Sequence, residues 1–533
     1  MTIQPADFDL AAGLLQWGKA MLSVISIFLG VALVAAVTAS GKKGLFTVLD
    51  GLIRTVRDFA SLSPRRVLAI SRLTFKEAVR RKALLVFVVF AVLFMFASWF
   101  LTGESHRPGA QMKVYVTFVL TAVSWLVLPV MLLLSCWGLP EDIRLRSLHT
   151  VVTKPVRRNE VVLGRILGFS AVGTLILVVM SVTGFVWVQR QVSDETDLTC
   201  RVPVYGELSF LDRLGVPTEK GVNVGDIIET RSFIEGGTNA TAIWKFPIAS
   251  QPDELRLESR FEAFRTWKGD MEQTLRVQFS LVNEATGLKV PLPNTVNIAE
   301  FSTNEVIVNK TLTYKDNITG KDVTVDVYQD LTTDGTLQIH VQCLDRNQYL
   351  GMSQGDFFIR LADRSFATGY FKAVAGIWLL IMLVVILSVT ASCFVKGPVA
   401  SLLVFSLIII GQFFHPFMAK ILNENPEEKL KGGGTFESIY RLVRHMNETT
   451  ALPEGFLTNT IKAVDGALVN CLWLVQHIIP DLSTFKMAPY VASGFDIPWN
   501  GSMLPAIVIT LGYVIPCLLI GYFSLSLREL EAK

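Results

Sequence analysis

The sequence predicts a polytopic α-helical membrane protein carrying one large water-soluble, β-rich domain between two of its spans. Three observations predict it. Hydrophobic residues make up 51% of the 533 residues and charged ones only 18%, with a mean hydropathy of +0.45, whereas a soluble domain carries about a quarter charged residues. The apolar residues are gathered into stretches close to the roughly 20 residues that a hydrocarbon core demands of a helix. Residues 190–368 lack such runs and alternate instead with the period of two that marks strands.

The apolar stretches run from Met21 to Thr38, Ala83 to Leu101, Val114 to Trp137, Ile166 to Val188, Val374 to Phe394, Val399 to Met418 and Met503 to Leu527. None has an uncompensated charge at its middle, and backbone groups in lipid must bond within their own segment, so each reads as a helix. The net charge of +3 matters less than where the basic residues sit. Lys42, Lys43, Arg54, Arg57, Arg65, Arg66, Arg72, Lys76, Arg80, Arg81 and Lys82 lie between the first two spans, and Arg144, Arg146, Lys154, Arg157, Arg158 and Arg165 between the third and fourth. Lys396 marks the turn after the fifth span, and Arg528 follows the last. The positive-inside rule places all four regions in the cytoplasm, and they share one side only if the spans alternate as given. The N-terminus, with Asp7 and Asp9, then lies outside. Residues 1–40 lack the basic start and short apolar run of a cleaved signal peptide, so they read as a retained anchor.

Residues 45–60 place Leu45, Leu49, Leu52, Ile53, Val56, Phe59 and Ala60 on one helical face, with Asp50, Arg54, Arg57 and Asp58 opposite. That is the pattern of a helix lying in the membrane surface. Pro64 to Lys82 repeats it less cleanly, with Val67, Leu68, Phe75, Ala78 and Val79 on one face and Lys76, Arg80 and Arg81 opposing them. It leads directly into the second span. From Glu141 to Gly164, Pro155 forbids one continuous helix and pushes Lys154 out of helical geometry, leaving two short pieces around a basic corner. Such a loop suits either docking to a cytoplasmic partner or simple topological anchoring.

In the outer domain, Thr274 to Leu281, Val323 to Tyr328 and Leu337 to Gln342 read as strands, separated by turns such as Glu235-Gly236-Gly237 and Thr333-Asp334-Gly335. The length suits one or two β-sandwich units. Of the 6 cysteines, Cys200 and Cys343 fall in this domain. They are candidates for a bridge in an oxidising compartment, the alternative being two buried thiols. Beyond the sixth span, residues 421–502 read as outer interfacial helices, with Ile461, Val464, Leu468, Leu472, Val475 and Ile479 on an apolar face.

Catalytic patterns are missing from the sequence. It has no G-x-x-x-x-G-K-[ST] loop for phosphates, no G-x-S-x-G elbow, and no C-x-x-C or H-E-x-x-H metal pattern. The six histidines are scattered, and His415 in the sixth span is the one intramembrane ionisable candidate. The chain therefore reads as a non-enzyme that binds no cofactor or metal, and no nucleic acid.

Several segments, in order, resemble the ABC-2 type permease family, in particular its branch similar to the membrane subunit of copper-enzyme maturation transporters. Ile70 to Met95 resembles the family's elbow helix and first core span, and Ser147 to Gly168 its cytoplasmic coupling segment, with a T-K-P-x-x-R-x-E-x-x-L-G pattern. Gly397-Pro398-Val399-Ala400 resembles a tight turn between spans, Ile479 to Phe485 the stretch before the last span, and Leu527 to Leu530 the short charged tail. The likeness covers the later six spans. It implies a six-helix core, to which the first span is an addition. The chain then divides into 1–40 as the anchor, 41–82 as surface and elbow helices, 83–189 as three core spans enclosing a coupling segment at 139–162, 190–368 as the β domain that the alternation of spans puts on the extracytoplasmic side, and 369–533 as the remaining three core spans. It further implies pairing with a second permease subunit in the bilayer and a separate cytoplasmic ABC ATPase that binds the ATP and Mg. Glu141, Asp142, Arg144, Lys154, Pro155 and Arg157 would form the ATPase-facing surface, and Arg72, Lys76, Arg80 and Arg81 would belong to the elbow helix. The added span and the inserted domain depart from a compact family member. They keep open a second reading, an ATPase-coupled scaffold or mechanotransmitter acting through its outer domain on an extracytoplasmic protein. An ion-coupled secondary transporter would show charged or broken midplane helices in inverted repeats, which this sequence lacks.

Overall fold

A computed structural model describes residues 8–40, 42–80, 85–101, 108–144, 156–191, 199–218, 220–222, 231–248, 250–265, 274–299, 302–315, 322–422, 434–447, 452–453 and 455–531. Helices α1 (Leu10–Ser40), α2 (Lys42–Ala60), α3 (Pro64–Arg80), α4 (Leu85–Leu101), α5 (Pro108–Arg144) and α6 (Arg158–Gln191) precede the β-rich region. After it come α7 (Phe366–Phe394), α8 (Gly397–Ile409), α9 (His415–Leu422), α10 (Thr435–Val443), α11 (Phe456–Ile478), α12 (Ala488–Ala492) and α13 (Leu504–Glu531).

Among the described residues, five segments are long and apolar enough to cross a membrane: Met112–Glu141, Arg158–Gln191, Phe366–Phe394, Gly397–Phe414 and Trp499–Ser526. They correspond to five of the seven stretches expected. The other two are also helical, within α1 and α4, and the apolar part of α4 counted among the described residues, Leu85–Phe94, is shorter. The sixth expected span is not uniform. Between α8 and α9, Ile410–Phe414 forms a π-helical turn. Pro416 has no N–H to offer Gly411, and the Gly411 carbonyl instead accepts from the Leu482 N–H at 3.2 Å. His415 lies beside this turn, its Nδ1 3.7 Å from Asp481.

Expectations for the amphipathic helices need correction in detail. On α3 the buried residues are Val67, Ile70, Thr74 and Ala78, while Leu68 is exposed. Ile53 and Val56 of α2 are exposed, as a membrane-surface face would be. On α11, Val464 and Leu468 are exposed and Asp465 is buried. The reason is local: the Asp465 carboxylate accepts the backbone N–H groups of Phe436 (3.0 Å) and Glu437 (2.9 Å), capping the start of α10.

The β-rich region contains β1 (Thr199–Tyr205), β2 (Glu207–Leu211), β3 (Pro217–Thr218), β4 (Ser232–Glu235), β5 (Thr241–Pro247), β6 (Glu254–Ser259), β7 (Glu262–Arg265), β8 (Leu275–Asn283), β9 (Leu288–Pro291), β10 (Val296–Ile298), β11 (Asn304–Asn309), β12 (Thr311–Lys315), β13 (Asp322–Asp326), β14 (Thr332–Thr333), β15 (Thr336–Cys343), β16 (Gln348–Met352) and β17 (Phe357–Ser365). One sheet has the order β1-β17-β6-β11 and the larger one β10-β8-β15-β5-β2-β3. The three strands read from sequence are present as β8, β13 and β15. Alternation sorts their faces: Leu337, Ile339 and Val341 of β15 are fully buried, while Gln338, His340 and Gln342 occupy the opposite face. Asp334 and Gly335, at φ 50° and 73°, make the left-handed turn that joins β14 to β15. Residues of both sheets share one core, in which Phe357 of β17 meets Trp244 and Phe246 of β5 at ring distances of 5.1 and 5.4 Å.

The chain forms two units, and the β unit comprises Asp197–Gly369 together with a distant segment, Ser493–Asp496. The sequence pattern suggested 190–368 alone. Cys200 ends up on β1 of the smaller sheet and Cys343 on β15 of the larger, both as buried thiols rather than a cystine. Burial raises the Cys343 thiol above its ordinary pKa.

Candidate functional site

The two helices that the sequence reading assigned to elbow and coupling roles meet at one junction in the helical unit. α3 packs along the first half of α6, and glycines make the approach close. A Cβ on Gly164 would lie 2.7 Å from Cβ of Ile70, and one on Gly168 would lie 2.6 Å from Cβ of Thr74 and 2.8 Å from the Ser71 carbonyl. Small residues four apart on α6 thus leave the groove that receives Ile70 and Thr74. Further along the same contact, Arg165 Nη1 lies 3.8 Å from Glu77 of α3.

Glu160 sits at the head of this contact and is completely buried. Its Oε2 accepts the Arg157 N–H at 3.0 Å, the reach-back bond of a capping box at the start of α6. Its Oε1 accepts the Ser63 N–H at 3.0 Å, immediately before Pro64 opens α3. One carboxylate therefore caps two helix N-termini, whose partial positive charges favour the anion. Arg66 Nε, 3.5 Å away, adds a third favourable charge.

The C-terminus of α2 is held by the same segment. Asn159 Nδ2 donates to the Asp58 carbonyl at 2.8 Å, and Arg157 Nη1 donates to the Arg57 carbonyl at 3.1 Å. These are carbonyls of the last turn, where a helix runs short of donors and a cation is favoured; that of Arg57 also accepts the Ser61 N–H at 3.2 Å. Arg157 also pairs with the Asp58 carboxylate at 3.3 Å. Asp58 accepts the Tyr522 hydroxyl at 2.8 Å, and Arg158 Nη1 donates to Ser526 at 2.8 Å, so α13 joins as well. Four helices, α2, α3, α6 and α13, are thereby tied through residues 157–160.

The sequence-derived site residues distribute as follows. Arg157 stands in the junction, with its guanidinium engaged on α2. Glu141 lies near the end of α5, and Arg72, Lys76 and Arg80 are exposed along α3. Asp142 and Arg144 continue α5, their side chains outside the described residues; Lys154, Pro155 and Arg81 lie outside them altogether. Asp58, expected on a face turned to water, is instead a junction residue. Ser63, Asn159, Tyr522 and Ser526 were not singled out. Ser63-Pro64 is a readable helix start, and the arginine, glutamate and final glycine of the T-K-P-x-x-R-x-E-x-x-L-G pattern are Arg158, Glu160 and Gly164 of this junction. Among the described residues, no group of three or more His, Cys, Asp or Glu converges as metal ligands would.

No protein-family model and no curated protein matches the chain. Among solved structures, one similar chain is a family GH115 4-O-methyl-alpha-glucuronidase with specificity for decorated arabinogalactans, at 11% identity and a TM-score of 0.16. The match covers 38% of this chain and 28% of that one, so the two share about a quarter of the enzyme's length. A likeness of that size carries no argument about fold or activity.

Proposed function

We propose that this chain is the membrane-spanning permease subunit of an ATP-binding-cassette transporter in a bacterial cytoplasmic membrane, working in export or extracytoplasmic maturation. A separate cytoplasmic ATPase supplies the energy, binding ATP and Mg itself, and a second permease subunit completes the pair. The observation that carries the reading is the junction around Glu160. An elbow helix and the end of the coupling segment are joined there by helix ends capped on one buried carboxylate, and the last span is tied to them by side-chain hydrogen bonds from Tyr522 and Ser526. A push on residues 139–162 would move α3, α6 and α13 together. The five membrane-length helices and the resemblance of the Ile70–Met95 and Ser147–Gly168 segments support the same reading.

A second reading keeps the ATPase but replaces solute movement with mechanical work on an extracytoplasmic partner. The observation favouring it is that the β unit incorporates Ser493–Asp496, a segment flanked on both sides by the helical unit. Purification from the native membrane in mild detergent tests both readings, since each requires an ABC ATPase to accompany the chain. Vesicle transport then separates them, because only the first requires a solute to move.

A further inference from the structure

Helix α5 carries a membrane-length segment, Met112–Glu141, and Trp125 lies near its middle. At 1.5 Å per residue it stands about 20 Å from Met112 and about 24 Å from Glu141, which is mid-depth in a hydrocarbon core of about 30 Å. Trp125 is 73% exposed there. Thr117 and Thr121 before it and Pro129 after it are exposed on the same side, each about one turn from the next. The opposite side of α5 is packed, with Val116, Val119, Val123 and Val127 fully buried.

Lipid suits the exposed faces of the other spans, which are hydrocarbon: Leu175, Val178, Val179 and Val182 on α6, and Leu511, Ile515, Ile520 and Phe523 on α13. It does not suit this one. Tryptophan belongs at the membrane–water interface, where its N–H finds a partner. Among the described residues the Trp125 Nε1–H has none. Pro129 lies inside the helix and has no N–H for the Trp125 carbonyl four residues before it. One residue, at one depth and on one side of the helix, thus presents a donor and an acceptor that hydrocarbon leaves unpaired. An identical stripe, related by a twofold axis along the membrane normal, brings a donor and an acceptor to the same depth. Each indole N–H can then meet the other helix's carbonyl, and the exchange is reciprocal. The threonines on either turn are small enough to let the helices approach.

We propose that Thr117, Thr121, Trp125 and Pro129 of α5 form a contact within the bilayer whose occupant is the same stripe of a second copy of this chain. This contact rests on the permease reading, which requires a second subunit, and specifies both that subunit and the face it uses. The two fail separately: copies that cross-link without any ATPase sink only the permease reading, and an ATPase without the cross-link sinks only the contact. The test uses two differently tagged full chains, co-expressed in a background lacking the exposed Cys471, with native membrane vesicles treated with a short bifunctional maleimide. Thr121→Cys and Trp125→Cys should each give a product carrying both tags, in about tenfold higher yield than Val179→Cys of α6 or Leu511→Cys of α13. Trp125→Leu keeps the face apolar and removes the donor. It should weaken pairing of the Thr121→Cys chains about eightfold, the effect of two symmetry-related hydrogen bonds of the usual strength in membranes. Equal yields at all four positions, or a product joining this chain to a different membrane protein in place of its copy, would overturn the proposal. So would rapid labelling of Trp125→Cys by a charged, membrane-impermeant maleimide, which would put a water-filled cleft at the stripe. Undiminished pairing in the Trp125→Leu chain would overturn it as well.

Discussion

Replacing Glu160 by alanine should uncap two helices at once. Two backbone N–H groups, of Ser63 and Arg157, lose a charged acceptor at 3.0 Å each. Hydrogen bonds to charged groups contribute roughly 1.5–3 kcal/mol apiece. The favourable placement of an anion at two helix N-termini adds about 0.3–1 kcal/mol for each. Against this stands relief from keeping a fully buried carboxylate dehydrated, and partial replacement of the lost bonds by water at the part-buried Ser63. The half-exposed Arg66 adds little. The balance is a loss of about 4 kcal/mol. Glutamine retains only one acceptor oxygen and turns an NH2 towards one of the donors, so E160Q should lose about half as much. The assay is thermal or denaturant unfolding of the full chain in detergent, read with hydrogen exchange at the Ser63 and Arg157 amides. If E160A unfolds within about 0.5 kcal/mol of wild type, or those amides keep their protection, the junction is not the structural node described here.

Gly168→Val should drive α3 off α6, because its Cβ alone would come within 2.6 Å of Thr74. Overpacking of this kind costs about 1–3 kcal/mol, and cysteine cross-linking between the two helices should fall with it. Acid should loosen the β unit through His340, whose pKa burial lowers from 6.5 to about 4, with a lesser push from Lys289. Between those values the unfolded chain binds the proton and the folded one does not, so stability rises with pH through that window and is lost on acidification. The loss is at most about 1.4 kcal/mol per pH unit, or about 3 kcal/mol in all. H340Q should flatten the slope between pH 6.5 and 4 when exchange protection of β15 is followed. Finally, Cys200 and Cys343 should leave gel mobility unchanged with and without reductant and should react with maleimide only after unfolding; a reductant-dependent shift lost in C200S would contradict the buried-thiol assignment.

Much of this architecture could be read from the residues because its signals are local. An apolar run has one way to satisfy its backbone in lipid, and an alternating one such as Leu337 to Gln342 has one way to sort its faces. The turn at Asp334-Gly335 likewise announces itself. What escaped the reading is non-local. The buried face of α3 depends on Gly164 and Gly168 of another helix, so Ile70 and Thr74 are inside while Leu68 is not. Asp58 looks like one more charge on a polar face until Arg157 and Tyr522, from 99 and 464 residues away, meet it. Nothing in Ser493–Asp496 marks it as a strand, because the backbone groups it pairs with belong to Arg201 at the free edge of β1, 293 residues away. The same holds for Asp465, whose value lies in the open end of α10.

If a separate ATPase moves this chain by acting on residues 139–162, that ATPase must be held against Arg157. The direct measurement is purification of the tagged full chain from its native membrane in mild detergent, with photo-cross-linking from position 157, in the absence and presence of ATP and vanadate. A stoichiometric ABC ATPase should appear in the eluate, cross-linked to this chain in a nucleotide-dependent way. An eluate with no ATPase under any nucleotide condition would contradict it.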